Sequence, residues 1–300
     1  MAEVAVNAQP RRVRHTARAV ALELAVVTSV FMLYRIGRGA TRGATGEALR
    51  NAHRVISWER GLGIFTERDV QRWVIGNHDV VEFFNHYYVV VHFPLTVTFL
   101  VWAYVWHVEA YRRLRTWFVI VTLSALVIHV MFPLAPPRMT GGFVDTLRVF
   151  GPRIYPADTS QSLANQFAAM PSLHFGWALM VAVGAVAILR SRASLLVFIH
   201  PIVTLTAIVA TGNHYWFDSI IAGILVVIAG SILLFVWRRG ESDDTDVVTG
   251  ESSTVYRPAS SRVPCARRDP HARVRVESRT EPARPCTRSP HRSDRSDRSG

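Results

Sequence analysis

The chain has 300 residues, of which half are hydrophobic and 19% are charged, and its formal net charge is +12. Stretches of at least 19 residues without a charged residue include 83–108, 116–137, 193–217 and 219–237. A hydrocarbon core about 30 Å thick is crossed by roughly 20 apolar residues in a helix. These stretches exclude a soluble globular domain and a disordered chain for the middle of the protein, and they predict a membrane protein.

The basic and sulfur-containing residues exclude two kinds of chemistry. All 34 basic residues are arginine, so neither a lysine nucleophile nor a lysine phosphate clamp is available. Cys265 and Cys286 both lie near the C-terminal end, outside the apolar stretches. No disulfide or cysteine nucleophile is therefore expected in the membrane part of the chain.

The apolar pattern predicts an all-α fold, a six-helix membrane bundle. The helices are expected at about 19–34, 81–107, 116–134, 173–190, 193–213 and 216–237. Arginines that follow the second, fourth and sixth predicted helices, at 112–115, 190–192 and 238–239, fall on the same side as those near the N-terminus. The positive-inside rule makes that side cytoplasmic and leaves the loop 133–171 and the turn near His214 extracytoplasmic.

The segments that flank these helices differ in composition. Residues 1–18 are basic, and residues 44–78 mix arginines and acids with apolar residues, which predicts two helices lying on the bilayer surface within a membrane domain of 19–237. A solvated helical loop is the alternative for 44–78. Residues 238–300 are rich in Arg, Ser and Pro and predict a disordered cytoplasmic tail.

Three polar clusters interrupt the apolar pattern, at 133–138, 170–174 and 211–218. The first ends the third predicted helix, the second opens the fourth, and the third joins the fifth to the sixth. Because successive helices run in opposite directions, these three points share one face of the membrane. Ionisable groups at such positions are costly unless they are used or paired. The clusters are therefore the candidate site, on the extracytoplasmic face.

The residue types in these clusters indicate phosphoryl transfer without a metal or other cofactor. His214 and Asp218 are four apart on one helical face, so the carboxylate can orient the imidazole as a nucleophile. His174 lies in the first turn of a helix, where an anion is favoured, and serves as the acid and base. Arg138 and Ser172 can bind the phosphate oxygens. A lipid-linked phosphate is the expected substrate and no nucleic-acid partner is expected.

These motifs resemble those of the type 2 phosphatidic acid phosphatase superfamily. Pro-Ser-Leu-His at 171–174 and His214-x-x-x-Asp218 are similar to its second and third signatures, and Pro-Pro-Arg at 136–138 is similar to the end of its first. The resemblance covers about residues 20–237. It implies a phosphohistidine at His214, acid–base work at His174, phosphate binding at Arg138 and Ser172, and lipid phosphatase or phosphotransferase activity.

One branch of that superfamily is especially similar. Leu173, where most members have glycine, and the residues around His214 resemble inositol phosphorylceramide synthase, an inositolphosphotransferase. The segment that holds Asn51, Glu59 and Glu67 is similar to bacterial members of that branch. This likeness implies an alcohol acceptor such as inositol, whereas the lipid donor and the oligomeric state stay open.

Two positions depart from the family pattern. Met131 stands where the first motif usually has a lysine, and Ile208 stands where the third usually has an arginine. The loss of two phosphate clamps favours a less charged diester donor, unless Arg148 or Arg153 substitutes. A metal site formed by two histidines and a carboxylate, an inactive lipid-headgroup-binding scaffold and a transporter are the alternative interpretations.

Overall fold

The computed structural model describes residues 16–39, 43–151 and 167–251. The chain divides into two compact units, Met1–Val247 and Val248–Gly300, and nearly all of the described residues belong to the first. That part is helical and contains no strands, which confirms the all-α prediction. Residues 1–15 of the basic segment and residues 252–300 lie outside the described residues. The tail was predicted to be disordered from residue 238, but residues 238–251 are helical in the structure.

The described residues form ten α-helices, which are numbered here in chain order. They are α1 Ala17–Gly39, α2 Thr45–Leu62, α3 Glu67–Ile75, α4 His78–His86, α5 His92–Trp106, α6 Val108–Met131, α7 Thr146–Phe150, α8 Leu173–Leu189, α9 Ile199–Ala210 and α10 Trp216–Glu251. A π-helical turn, Tyr87–Val91, joins α4 to α5, and a 3₁₀ segment, Arg192–Phe198, precedes α9. Both junctions therefore extend an apolar helix rather than end it.

Five helical segments of the described chain are long and apolar enough to cross a membrane. They are Ala17–Gly37, His78–Trp106, Val108–Met131, Arg192–Ala210 and Trp216–Arg239. The remaining predicted span, 173–190, corresponds to α8, which is apolar but has only 17 residues. The protein is thus a multi-helix membrane protein, and the count of six spans stays a prediction.

Most of the segment 44–78 forms two helices, α2 and α3, each of which buries a glutamate. The buried residues of α2 recur at intervals of three and four positions, namely Ala48, Asn51, Ala52, Val55, Ile56 and Glu59. Such spacing places one stripe of the helix against the protein. α2 ends at Gly63, whose φ of 71° is the left-handed conformation that glycine adopts at low cost. α3 then starts at Glu67, which is also buried.

The apolar core lies between α5, α6, α8 and α10. Phe99, Leu114, Phe118, Met180 and Val226 are among its buried members. The indole N–H of Trp117 donates to the Val226 carbonyl across 3.0 Å, which ties α6 to α10. Between membrane helices the hydrophobic effect contributes little, so close packing and hydrogen bonds of this kind hold the helices together.

The ends of α6 and α8 are held together by the loop between them. Leu134 and Ala168 form an isolated parallel bridge, in which Leu134 N–H donates to the Phe167 carbonyl at 2.8 Å. The imidazole of His129 is 3.1 Å from the Pro171 carbonyl. From the other side, the Asn51 amide donates to the Pro133 carbonyl at 2.9 Å. The first and second polar clusters are therefore fixed beside each other.

Glu23 attaches α1 to α6. Its carboxylate accepts hydrogen bonds from Tyr111, at 3.0 Å, and from Arg115. Replacing Glu23 by Ala should lower the free energy of unfolding by about 1–3 kcal/mol, because a charged hydrogen bond is lost and a partly buried guanidinium keeps no carboxylate. Thermal unfolding in detergent measures the loss. Glu109→Ala, which breaks an exposed pair with Arg112, is the control and should change stability by about 0.5 kcal/mol or less.

Candidate active site

His214 lies in the turn between α9 and α10 and is 5% exposed. Its Nδ1 atom is 2.8 Å from the Ala169 carbonyl and 3.3 Å from Asp218 Oδ2. A carbonyl oxygen can only accept, so the contact with Ala169 places the imidazole proton on Nδ1. The lone pair of the neutral ring is then on Nε2, which is the nitrogen able to act as a nucleophile.

Asp218 is fully buried in the first turn of α10. Its Oδ2 atom accepts the backbone N–H of Tyr215 at 2.9 Å as well as facing His214. This is one half of a capping box, in which the third helical residue reaches back to the residue before the helix. The same carboxylate therefore both starts α10 and orients the imidazole.

Ser172 caps the N-terminus of α8 and touches the same turn. Its hydroxyl oxygen accepts the Phe175 N–H at 3.4 Å, and its own N–H donates to the Asp218 carbonyl at 3.1 Å. His174 follows in the first turn of α8, where the N–H groups that lack intrahelical partners favour an anion. The ring centroids of His174 and His214 are 5.7 Å apart.

Arg138 approaches from the loop after α6. Its backbone N–H donates to the Gly212 carbonyl at 2.9 Å, and its guanidinium donates to the Asn213 side chain. Asp145 lies on the other side, with 3.7 Å between Arg138 Nε and the Asp145 carboxylate. The guanidinium thus contacts the residue that directly precedes His214, and it lies between two polar side chains.

The structure brings together all five site residues that the sequence predicted. Arg138 comes from the first polar cluster, Ser172 and His174 from the second, and His214 and Asp218 from the third.

The family comparison matches residues 53–233, more than half of the chain, to a model of the PAP2 superfamily. The protein belongs to the PAP2 superfamily. Searches of curated proteins and of solved structures gave no match.

Membership of the PAP2 superfamily indicates the general class of activity. PAP2 proteins are in general phosphatases that act on lipid phosphates in membranes. Lipid phosphatase-type phosphoryl transfer is therefore the activity that membership suggests for this chain.

The PAP2 motifs of this chain are accompanied by a row of aromatic and histidine rings beside His174. His92 has its ring centroid 5.2 Å from that of His174 and 5.4 Å from that of His200. The Tyr88 ring is 4.6 Å from His174, and the Tyr87 hydroxyl is 2.5 Å from His200 Nδ1. These residues surround the π-helical turn, a feature that is frequent at functional sites.

Two carboxyl groups for which the sequence predicted no catalytic role also contact the N-terminus of α10. Glu67 Oε1 accepts the N–H of Trp216 at 3.2 Å, and Glu59 Oε1 accepts the N–H of Phe217 at 2.8 Å. Burial, followed by the Glu67 carboxyl, raises the pKa of Glu59 to about 9. The periodicity of α2 was the available signal, because Glu59 continues the buried stripe that begins at Ala48.

An apolar cavity of about 810 Å³ opens beside the first turn of α10. Its walls come from the loop before α3 and from α8, α9 and α10, and they include Ile64, Phe175, Leu179, Leu205, Trp216, Ser219, Ile220 and Ile224. Phe175 directly follows His174, and Ser219 directly follows Asp218. Two residues of the cavity wall therefore directly follow predicted site residues in the sequence.

The two positions where this PAP2 chain departs from the common pattern carry apolar side chains that cannot bind phosphate. Met131 is 76% exposed at the end of α6, and Ile208 is buried in α9. Of the two suggested substitutes, Arg148 is exposed on α7 and Arg153 lies outside the described residues. Within residues 16–39, 43–151 and 167–251, no group of three His, Cys, Asp or Glu side chains could hold a metal ion.

Proposed function

We propose that this PAP2 protein transfers a phosphoryl group of a membrane lipid through a phosphohistidine at His214, without a metal ion. The supporting observation is the pair of contacts at His214 Nδ1, with Ala169 and with Asp218. They fix the tautomer in which Nε2 carries the lone pair. As Nε2 forms its bond to phosphorus, the ring becomes positively charged and the Asp218 carboxylate stabilises that charge.

In the first step, His214 Nε2 attacks the phosphorus in line with the bond to the leaving oxygen. The bond from phosphorus to that oxygen breaks as the new P–N bond forms, and His174 donates its proton to the departing oxygen. Arg138 and Ser172, with the N–H groups of the first turn of α8, neutralise the charge on the non-bridging oxygens. These donors are where most of the acceleration is expected to arise.

In the second step, His174 acts as a base. It takes the proton of water or of a bound alcohol, whose oxygen attacks the phosphorus and displaces His214. Water yields a phosphatase, and an alcohol yields a phosphotransferase. Met131 and Ile208 stand where the common pattern has two cations. Their absence supports a less charged diester donor with an alcohol acceptor such as inositol, as in the inositol phosphorylceramide synthase-like branch.

The arrangement in the membrane completes the proposal. Residues 19–237 form a six-helix bundle in which α8 is the sixth span, and α2 and α3 lie at the membrane surface. The site faces the extracytoplasmic side, and the chain after residue 237 lies on the cytoplasmic side. The apolar cavity beside α10 supports a lipid substrate, because its lining suits an acyl chain next to the reacting phosphate.

A product assay tests the reaction class. Purified protein in detergent is given lipid phosphates, or phosphatidylinositol with inositol and other alcohols, in the presence of a chelator, and free phosphate, inositol phosphate and phosphorylated alcohols are measured. The variant in which His174 and His214 are both replaced by Asn is the background. We expect transfer to an alcohol with little free phosphate or inositol phosphate, whereas these hydrolysis products alone would identify a phosphatase. Equal rates for the protein and the background would refute the proposal.

A further inference from the structure

Three carboxyl groups from three helices meet the N-terminus of α10. The backbone N–H groups of residues 215–217 donate in turn to Asp218 Oδ2 at 2.9 Å, to Glu67 Oε1 at 3.2 Å and to Glu59 Oε1 at 2.8 Å. Each of these acids has 0% exposure. The first N–H groups of a helix have no intrahelical partners, so these bonds decide where α10 begins.

If all three carboxyl groups were ionised, three negative charges would be buried at the N-terminus of α10, which would destabilise the folded state. In the described part of the chain, no arginine or histidine forms an ion pair with Glu59 or Glu67. The N-terminus of α10 supplies the equivalent of only about half a positive charge. Buried carboxylates without counter-ions are strongly destabilising, and a proton is the simplest way to remove one charge.

The two glutamates are placed to hold that proton together. Their Oε1 atoms accept the N–H groups of two adjacent residues, Trp216 and Phe217, and the Oε2 atom of each is buried without a hydrogen-bond partner in the described part of the chain. A hydrogen on one of the two carboxyl groups gives the pair a donor for these oxygens and removes one of the negative charges. We propose that Glu59 and Glu67 share one proton as an acid–carboxylate pair that caps α10 and so positions His214 and Asp218. This role rests on the proposed function of His214.

The surroundings of Glu59 make the pair sensitive to alkaline pH. The titratable groups that face it are Glu67 on α3, Asp218 on α10 and Tyr215, and Asp218 in turn contacts His214. Burial and Glu67 raise the pKa of Glu59 to about 9 from an ordinary value of 4.5. The folded state therefore holds a proton that the unfolded chain loses, and the stability from this group falls as pH rises from about 4.5 to about 9.

Replacing Glu59 by Gln tests the shared proton, because the amide mimics the protonated acid. Its oxygen accepts the Phe217 N–H, its nitrogen donates to Glu67, and neither titrates. We expect Glu59→Gln to keep at least half of kcat at pH 7, and the ratio of its rate to that of the wild type to rise severalfold above pH 9. Glu59→Ala should lose at least about tenfold in kcat at every pH, because two buried groups lose a partner.

An infrared spectrum supplies a readout that does not depend on activity. The spectrum of the wild type at pH 7 minus that of Glu59→Gln should show the carbonyl band of one protonated carboxyl group. Glu47→Gln, at an exposed position of the same helix, should leave both that band and the pH–rate ratio unchanged.

Either of two outcomes would overturn the shared proton. One is a difference spectrum without the protonated band, and the other is a Glu59→Gln variant as impaired as Glu59→Ala. Failure of the phosphohistidine mechanism is seen separately, since it leaves the infrared result intact and appears only in the His214 variants.

Discussion

Replacing His214 by Asn is expected to abolish turnover, with a loss of about 10⁴-fold or more in kcat, because the proposed nucleophile that forms the P–N bond is lost. The Asn amide still donates to the Ala169 carbonyl, so the turn before α10 should keep its shape. The measurement is steady-state turnover of the best lipid substrate, together with transfer of a radioactive phosphoryl group to the protein. We expect neither product nor labelled protein.

His174→Asn separates the two steps of the same mechanism. His174 leaves the nucleophile intact, so a substrate with a good leaving group should still label the protein, while release of the label becomes slow. His78→Asn is the matched control, because His78 lies on the exposed side of α4 and should change neither quantity. Label on the His214→Asn protein, or full turnover without His214, would show that another residue is the nucleophile.

The polar clusters were predictable from the sequence because the end of a membrane helix is marked by a change from apolar to polar residues. An apolar run ends where Pro133 or Thr211 begins a polar cluster, and antiparallel packing of successive helices brings those ends to one face. This reasoning placed His174, His214 and Asp218 together without any knowledge of side-chain contacts. The alternation of helix direction, rather than the spacing of the residues, carried that prediction.

The supporting contacts were not predictable in the same way. The bridge between Leu134 and Ala168 pairs two irregular segments, and nothing in the apolar pattern fixes which residues pair. The row from His92 to His200 depends on how α5 and α9 are rotated about their axes. Because lipid and protein interior are both apolar, hydrophobic residues on a membrane helix do not show which side faces the protein.

Glu59 is an intermediate case. Its place on the buried stripe of α2 follows from the sequence, since a residue three or four positions after Val55 and Ile56 shares their face. What it binds does not follow, because the N–H group of Phe217 is far away in sequence. Periodicity therefore gave the burial of this carboxyl group but not its role at α10.

Replacing Arg138 by Gln is expected to lower kcat/KM by about 10²-fold or more, because the only predicted guanidinium at the phosphate is lost. The amide can still reach Asn213 or Asp145, so the loop after α6 should keep its fold. Arg138→Lys should recover little, since one ammonium group does not reproduce the planar two-pronged contact with phosphate oxygens. The kinetics are measured with a diester and with a phosphomonoester lipid.

The comparison between those two substrates decides what the missing family cations mean. Met131 and Ile208 leave Arg138 with more of the phosphate charge to neutralise, so the loss should be larger for the doubly charged monoester than for the diester. Arg112→Gln, an exposed exchange on α6, is the control and should leave both rates unchanged. Equal losses for the two substrates would mean that a second cation shares the phosphate, and Arg148→Gln would then be the variant that reveals it. An Arg138→Gln protein with wild-type kinetics would remove Arg138 from the site altogether.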